Sequence, residues 1–532
     1  MKLYKTLLFM AGMALMTTSC DSFLDEMPDN RATINKEDDI KALVTTAYAS
    51  VSPSLINELM SDNIDDYGEN NPYTDRFYDH VYHWENADEE NNESPESIWD
   101  NQFAAIAAAN QALKSIQDLG GTKTTSMQEI KAEALLCRAY AYFTLINTFC
   151  KSYDAQTAGT DLGLPYTEEP ETTLDPKYKR ETVAQNYQKI ERDILEALPI
   201  MGDAHLTVPK YHFNTEAAYA FACRFYLYYQ KWDEAVTYAN LCIGNQPGTL
   251  LRNWAGMAKM SQTSYQAITN EYVNADINCN LLLMTSISNT GYIFNNLTSE
   301  YARYTHGAYL ASNEDGNAKN IWGSARLYMP MQSVNQANVN KTVFWKLPAL
   351  FEYVDPVAKI GYRRTINVAF SADECLLNRA EAYIMLKEYD KAAADLTTWM
   401  QNFVNTKITL TPTSITTFYK PIAYSYDKTD DDALGIESTI KKHLHPSFTI
   451  DEEGSTQECM LQCVLGFRCI ETLEQGMRWY DVNRYGIEII RRVMNANGAP
   501  YKKVDVLKVD DPRRVVQIPL KVRNAGFEPN PR

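Results

Sequence analysis

Residues 371–400 read SADECLLNRAEAYIMLKEYDKAAADLTTWM. Ser371, with Glu374 three residues on, has the form of a capped helix start. Leu376, Leu377, Ala380, Tyr383, Ile384 and Leu386 then recur at i, i+3, i+4 and i+7, which is one apolar face of a helix. A break falls at Lys387-Glu388, after which Ala392, Leu396 and Trp399 resume the pattern. The stretch predicts two helices joined by a tight turn.

Earlier parts of the chain echo it. Shifted back by 157 residues, Cys223, Tyr226, Trp232, Asp233 and Ala235 fall under Ala380, Tyr383, Tyr389, Asp390 and Ala392. Shifted back by 241, RAYAYFTL (138–145) lies under RAEAYIML (379–386). Small residues at these spacings let antiparallel helices approach while large ones fill the seam, so the unit resembles a tetratricopeptide repeat. Such pairs cannot bury their faces alone and must stack. The expected fold is mainly α: a tetratricopeptide-like helical-repeat frame with long irregular loop excursions and a few short strands.

A chain of 532 residues, 45% hydrophobic and 22% charged, has the composition of a globular protein with more than one structural region. A formal net charge of −18 speaks against nucleic acid as a partner and against docking on anionic lipid by charge. At the start, Lys2 and Lys5 precede an apolar run, Leu7 to Met16, that is too short to span a bilayer. Thr17-Thr18-Ser19 then lead to Cys20, a pattern that resembles a bacterial lipoprotein signal with lipid on the Cys20 thiol. Ten cysteines less Cys20 leave an odd number, with no C-x-x-C pair, so neither a disulfide framework nor a zinc site is expected. His80 with His83, and Asp427 with Asp430 to Asp432, read as loop and solvated-charge residues rather than as metal ligands. No metal and no cofactor is expected.

Along the chain, Asn35 is read as the cap of a first helix, Ser94-Pro95 opens a second, Ser126 with Glu129 a third and Thr182 with Gln185 a fourth. A loop is expected over about 57–92, rich in Asp, Asn and Tyr. Helical periodicity fades over about 244–370, where Leu281 to Met284 suggests a buried strand, and again over 406–454. A last long helix is expected from Gln457 to Glu474, with short extended pieces such as 515–519 after it.

The exit of that helix reads FRCIETLEQGMRWYDVNR (467–484). Arg468, Glu471, Gly476, Arg478, Trp479, Asp481 and Arg484 match in register a signature of the SusD/RagB family, which the chain therefore resembles. The resemblance implies a lipid-anchored, surface-exposed lipoprotein of the outer membrane. Such a protein captures glycans, or in the RagB-like alternative peptides, for a TonB-dependent SusC-like transporter, and is not an enzyme. On this basis 1–19 is a signal peptide and 20–34 a tether. Residues 35–243 and 371–405 form the helical frame, 244–370 an irregular ligand-side region, and 406–532 a C-terminal region packed on the frame. The seven signature residues read as structural links rather than as catalytic groups. A helical scaffold for other proteins and a surface glycoside hydrolase are the rival readings. The hydrolase would need two spaced carboxylates that no motif here singles out.

Tyrosines number 35 against 18 phenylalanines, and many fall in the irregular segments. Aromatic faces with a polar edge suit sugars. The expected ligand residues are Trp84 and Trp322 as stacking platforms, flanked by Tyr67, Tyr304 and Tyr328. Arg76, Asp66 and Asn86 are the expected hydrogen-bonding partners.

Overall fold

The computed structural model describes residues 34–68, 71, 75–173, 176–261, 265–298, 300–336, 339–427 and 435–532. The signal, Cys20, most of the tether and Asp430 to Asp432 lie outside these. Helices that build the frame and its attachments are α1 (Glu37–Val44), α2 (Ser54–Met60), α3 (Arg76–Tyr82), α4 (Pro95–Asp118), α5 (Thr125–Phe149), α6 (Val183–Ala197), α7 (Thr215–Tyr228) and α8 (Trp232–Ile243), and a further eight-residue helix spans Tyr265–Tyr272. They are followed by α9 (Ala372–Met385), α10 (Tyr389–Phe403), α11 (Pro412–Tyr419), α12 (Thr456–Glu471) and α13 (Met477–Arg484). Successive helices pack as neighbours from α4 through α6, α7 lies on α8, and α8 carries the chain onto α9 and α10. α12 packs on α9, so the signature segment is docked on the repeat unit that opens the sequence reading.

Local sequence explains the ends. Ser94 Oγ accepts from the Ser97 amide with Pro95 at the first helical position. Thr182 and Gln185 form a reciprocal capping box on α6. Ser371 Oγ accepts from the Glu374 amide at 3.1 Å. The Glu374 carboxylate, however, turns away to pair with Arg224 on α7, a buried link between helices. The echoed arginines share a role: Arg138 on α5 grips Asp193 on α6 (2.7 and 2.9 Å), and Arg379 on α9 grips Asp395 on α10 (2.8 Å twice).

Several expectations are corrected. The first helix begins after Lys36, not Asn35, and α5 begins after Thr124, whose hydroxyl accepts from the Met127 amide. Residues 57–92 are not one long loop: α2 and α3 and the short strand β1 (Asp65–Asp66) lie within it and are largely buried. The 406–454 stretch contains α11, and α12 ends at Glu471. The 244–370 region holds β2 (Asn280–Ile287), β3 (Tyr304–Thr305), the hairpin β4 (Gln332–Gln336) and β5 (Val339–Val343), β6 (Leu350–Asp355) and β7 (Ile360–Ser371). The expected buried strand at Leu281 to Met284 is β2, which pairs antiparallel with β7, while β6 covers the other edge of β7. After α13 the strands are β8 (Ile489–Met494) and β9 (Pro500–Leu507), in a sheet of order β3-β1-β8-β9, while 515–519, extended at Val515, belongs to no strand. That sheet joins the far end of the chain to the 57–92 stretch. No helix among the described residues is long and apolar enough to cross a membrane.

Candidate ligand-binding site

The expected platforms lie inside the protein. Trp84 is 2% exposed, and its Nε1–H donates to the Met60 carbonyl at 2.9 Å. The Arg491 guanidinium lies 4.2 Å from its ring centroid and that of Arg513 5.5 Å. Among the described residues Arg491 pairs with no carboxylate; it donates to the carbonyls of Leu59, Met60, Ser61, Ile64 and Tyr82, and so stitches β8 to the end of α2. Trp322, 4% exposed, packs on Phe467 of α12 with ring centroids 5.6 Å apart, and Phe467 in turn stacks on Trp399. Both tryptophans therefore plug the seam between excursion and frame, and the platform expectation is corrected for both.

The flanking residues divide. Tyr67 is buried, and burial raises its phenol pKa well above the ordinary value. Tyr304 is buried, stacks on Tyr82 at 4.3 Å and donates to Asp79. Asp66 is buried and pairs with Arg303 at 3.0 Å, so it is a structural acid rather than a free acceptor. Arg76 stays exposed in a pair with Glu89, and Asn86 is exposed and accepts from Arg532. These residues do not converge on one cleft. Tyr328 is the exception, half-buried and open to a cleft.

That cleft has a volume of about 670 Å³ and is walled by Arg326, Tyr328, Met331, Ser333 and Asn405 among others. A second, of about 640 Å³, is walled by Tyr265, Tyr292, Asn295 and Asn296 among others. The two adjoin, because Gln332 and Trp345 line both. Each lies within the range of about 300–1,000 Å³ usual for small-molecule sites.

The frame and the signature segment position these walls. The backbones of 326–328 and 403–405 are joined by Tyr328 N–H to Phe403 O at 2.9 Å and Asn405 N–H to Arg326 O at 3.0 Å, so the end of α10 carries Tyr328. The Tyr328 hydroxyl donates to Asn405 Oδ1 at 3.0 Å, which fixes its ring. Tyr292 is held by its hydroxyl on the Leu350 carbonyl at 3.1 Å, with the Arg363 guanidinium 4.5 Å from its ring centroid. Asn295 donates to the Leu347 carbonyl, and its Oδ1 has no hydrogen-bond partner among the described residues. Tyr265 is 40% exposed.

Trp345 forms the partition. Its backbone is left-handed, with φ of 49°, a conformation that costs a bulky residue about 1–3 kcal/mol and persists only where its surroundings enforce it. The enforcement comes from the next residue. Lys346 is buried, and its ammonium donates to the carbonyls of Ile470 (3.1 Å) and Glu471 (2.6 Å) at the end of α12. A cation there also complements the negative end of the helix dipole. Burial draws the Lys346 pKa down to about 8, against the pull of Glu471 and Glu474. Burial, and then the charge of Asp373, pushes Glu471 up to about 8, while its carboxylate accepts from Trp399 Nε1 at 2.9 Å. The signature thus lies beneath the clefts, and its side chains do not line them. Arg468 holds Asp481 through two bonds of 2.9 and 3.1 Å, and Arg478 holds Asp62 through two of 2.7 Å. Arg484 pairs with Glu381 and Asp481, Trp479 is fully buried, and Gly476 makes the left-handed turn between α12 and α13.

The clefts fall largely within the 244–370 stretch read as irregular, but of the expected ligand residues only Tyr328 lines them, and Tyr265, Tyr292 and Trp345 were not among those expected. The tyrosines carried no signal beyond membership in an aperiodic, Asn-rich stretch. Trp345 sits in the apolar run Val343 to Pro348 and reads as core, which by exposure it is.

Residues 22–227 match a SusD-like family model described as "Starch-binding associating with outer membrane". A SusD superfamily protein from Bacteroides thetaiotaomicron superposes with a TM-score of 0.61 at 17% identity, over 93% of this chain and 99% of its own. A SusD superfamily protein from Bacteroides vulgatus gives 0.60 at 18% identity, over 92% and 97%. A SusD-like carbohydrate binding protein from the same organism gives 0.60 at 14%, over 92% and 96%. No curated protein matches the chain. The chain has the fold of these SusD superfamily proteins, and its residues 22–227 match the SusD-like family model, which supports the resemblance carried by residues 467–484.

Proposed function

We propose that this protein is a carbohydrate-binding lipoprotein of the outer membrane that captures glycan at the clefts flanking Trp345 and passes it to a TonB-dependent, SusC-like transporter. One observation carries the reading: aromatic and amide side chains line two adjoining open clefts that share a wall at Gln332 and the buried Trp345. A sugar presents C–H faces ringed by hydroxyls, and such a wall meets both. The SusD-like match and the carbohydrate-binding neighbour support the class of ligand, and the lipoprotein-like start supports the anchor. The protein's part is binding and hand-over, not bond cleavage.

The test is made in the producing bacterium. Wild-type protein is expected in the outer-membrane fraction, with a β-barrel transporter co-purifying in mild detergent. Cys20→Ala is expected in the soluble fraction, with growth on the glycan impaired. A Cys20→Ala protein that still sediments with membranes and takes up labelled acyl chains would remove the anchor from the proposal. Wild type that brings down no barrel would remove the hand-over.

A further inference from the structure

We propose that the two clefts act as one groove for an uncharged oligosaccharide, with sugar units bound on both sides of the Trp345 partition at once. This rests on the carbohydrate reading above and specifies the ligand. Three observations carry it.

The first is shape. Each cleft alone would hold a small ligand, and the two share a wall formed by Gln332 and Trp345. Only an extended ligand uses both, and both are open to solvent, so a chain can continue outward. The second is charge. Among the described residues of the two linings, the only charged side chain is that of Arg326. Among the described residues no carboxylate lines either cleft to receive an amine, and a net charge of −18 on the whole molecule repels an acidic chain that a single arginine would have to hold. The third is the distribution of wall chemistry. Rings stand on both sides, Tyr265 and Tyr292 in one cleft and Tyr328 in the other. Amides do likewise, with Asn295 and Asn296 opposed to Asn405 and with Gln332 at the junction. Tyr328 and Tyr292 are already held by hydrogen bonds, so little side-chain freedom remains to be lost on binding.

The experiment titrates full-length protein, kept in mild detergent, with single neutral sugars and with neutral oligomers of two to eight units. The oligomers are drawn from starch-, cellulose-, mannan- and xylan-type chains, and oligogalacturonate and an unstructured peptide serve as comparison ligands. For the chain type that binds, affinity is expected to rise about tenfold or more from the shortest to the longer oligomers and then level off. Tyr265→Ala and Tyr328→Ala are each expected to weaken the long oligomer about tenfold, while a short oligomer is weakened by only one of them. Tyr328→Phe, which keeps the ring, separates loss of stacking from loss of the Asn405 bond, and melting curves establish that each variant is folded. Affinity independent of length, or a long oligomer indifferent to either variant, would overturn the shared groove and leave carbohydrate binding standing. Binding of oligogalacturonate with no neutral sugar bound would overturn the uncharged ligand and leave carbohydrate binding standing, and binding of the peptide with no sugar bound would overturn both.

Discussion

Trp84 shows how a single side chain can carry the chemistry of a sugar platform and have none of the access. Its left-handed backbone, with φ of 56°, turns the ring inward onto the Met60 carbonyl, and Arg491 and Arg513 lie near the ring. Trp84→Ala removes a buried aromatic, a bond to backbone and a cation–π partner together. It is expected to cost about 3–5 kcal/mol of stability while leaving oligosaccharide affinity unchanged. Urea unfolding and calorimetric titration of the same preparation make the comparison, and unchanged stability with weakened binding would return Trp84 to the ligand. Tyr265, exposed at the cleft wall, should behave in the opposite way. Both residues were equally visible in the sequence. What separated them is whether a distant arginine arrives to cover the ring, and nothing near Trp84 in the chain announces Arg491.

At the scale of elements, the segment from α12 to α13 joins regions far apart in sequence. Gly476 takes φ of 74° where the chain turns between the helices, and an added Cβ would meet the Ser54 carbonyl oxygen at 2.6 Å. The same turn brings Arg478 onto Asp62, and both are buried. Arg478→Ala strands the Asp62 carboxylate with only Lys442 near it, at 3.7 Å, and should cost about 3–5 kcal/mol. A double variant, Arg478→Met with Asp62→Leu, removes both charges and should be more stable than Arg478→Ala, because the uncompensated charge is then gone. Equal thermal stability of the single and double variants would show that the pair does not carry this cost. The helices themselves were legible where caps and apolar faces coincided, as at Ser94-Pro95, Thr182-Gln185 and Ser371. The short α2 and α3 were not, since seven residues give fewer than two turns of periodicity. β8 and β9 were not either, because Arg491 and Arg492 interrupt any apolar alternation in β8 and yet are buried.

At the scale of the whole molecule, His306 ties the 290–343 excursion to the frame. Its Nδ1 lies 3.0 Å from the Asn63 carbonyl, and its Nε2 lies 3.2 Å from Asp315. Burial opposes its charge, but Asp315 and then Glu58 and Glu474 outweigh burial and raise its pKa to about 9. The imidazolium is therefore favoured by the folded state. Its contribution is complete below the unfolded value of about 6.5 and is lost as pH rises through about 9. The melting temperature of His306→Gln should fall well below that of wild type at pH 6, and the gap should close above pH 9. A gap that is constant from pH 6 to 9.5 would remove the charge from this account.

The sequence by itself determined the stacked helical pairs, because a repeated apolar face at 3.6-residue spacing reports burial within its own element. It determined the SusD-like resemblance as well, because Arg468, Arg478, Asp481 and Arg484 stand in fixed register around a turn that needs glycine. Only the tertiary structure decided which aromatics face an open cleft. In an aperiodic segment a side chain has no face of its own, and its exposure is set by whatever packs against it from elsewhere in the chain. Arg491 covers Trp84 and Phe467 covers Trp322, while Lys346, anchored on the end of α12, holds the equally buried Trp345 at the wall that two open clefts share.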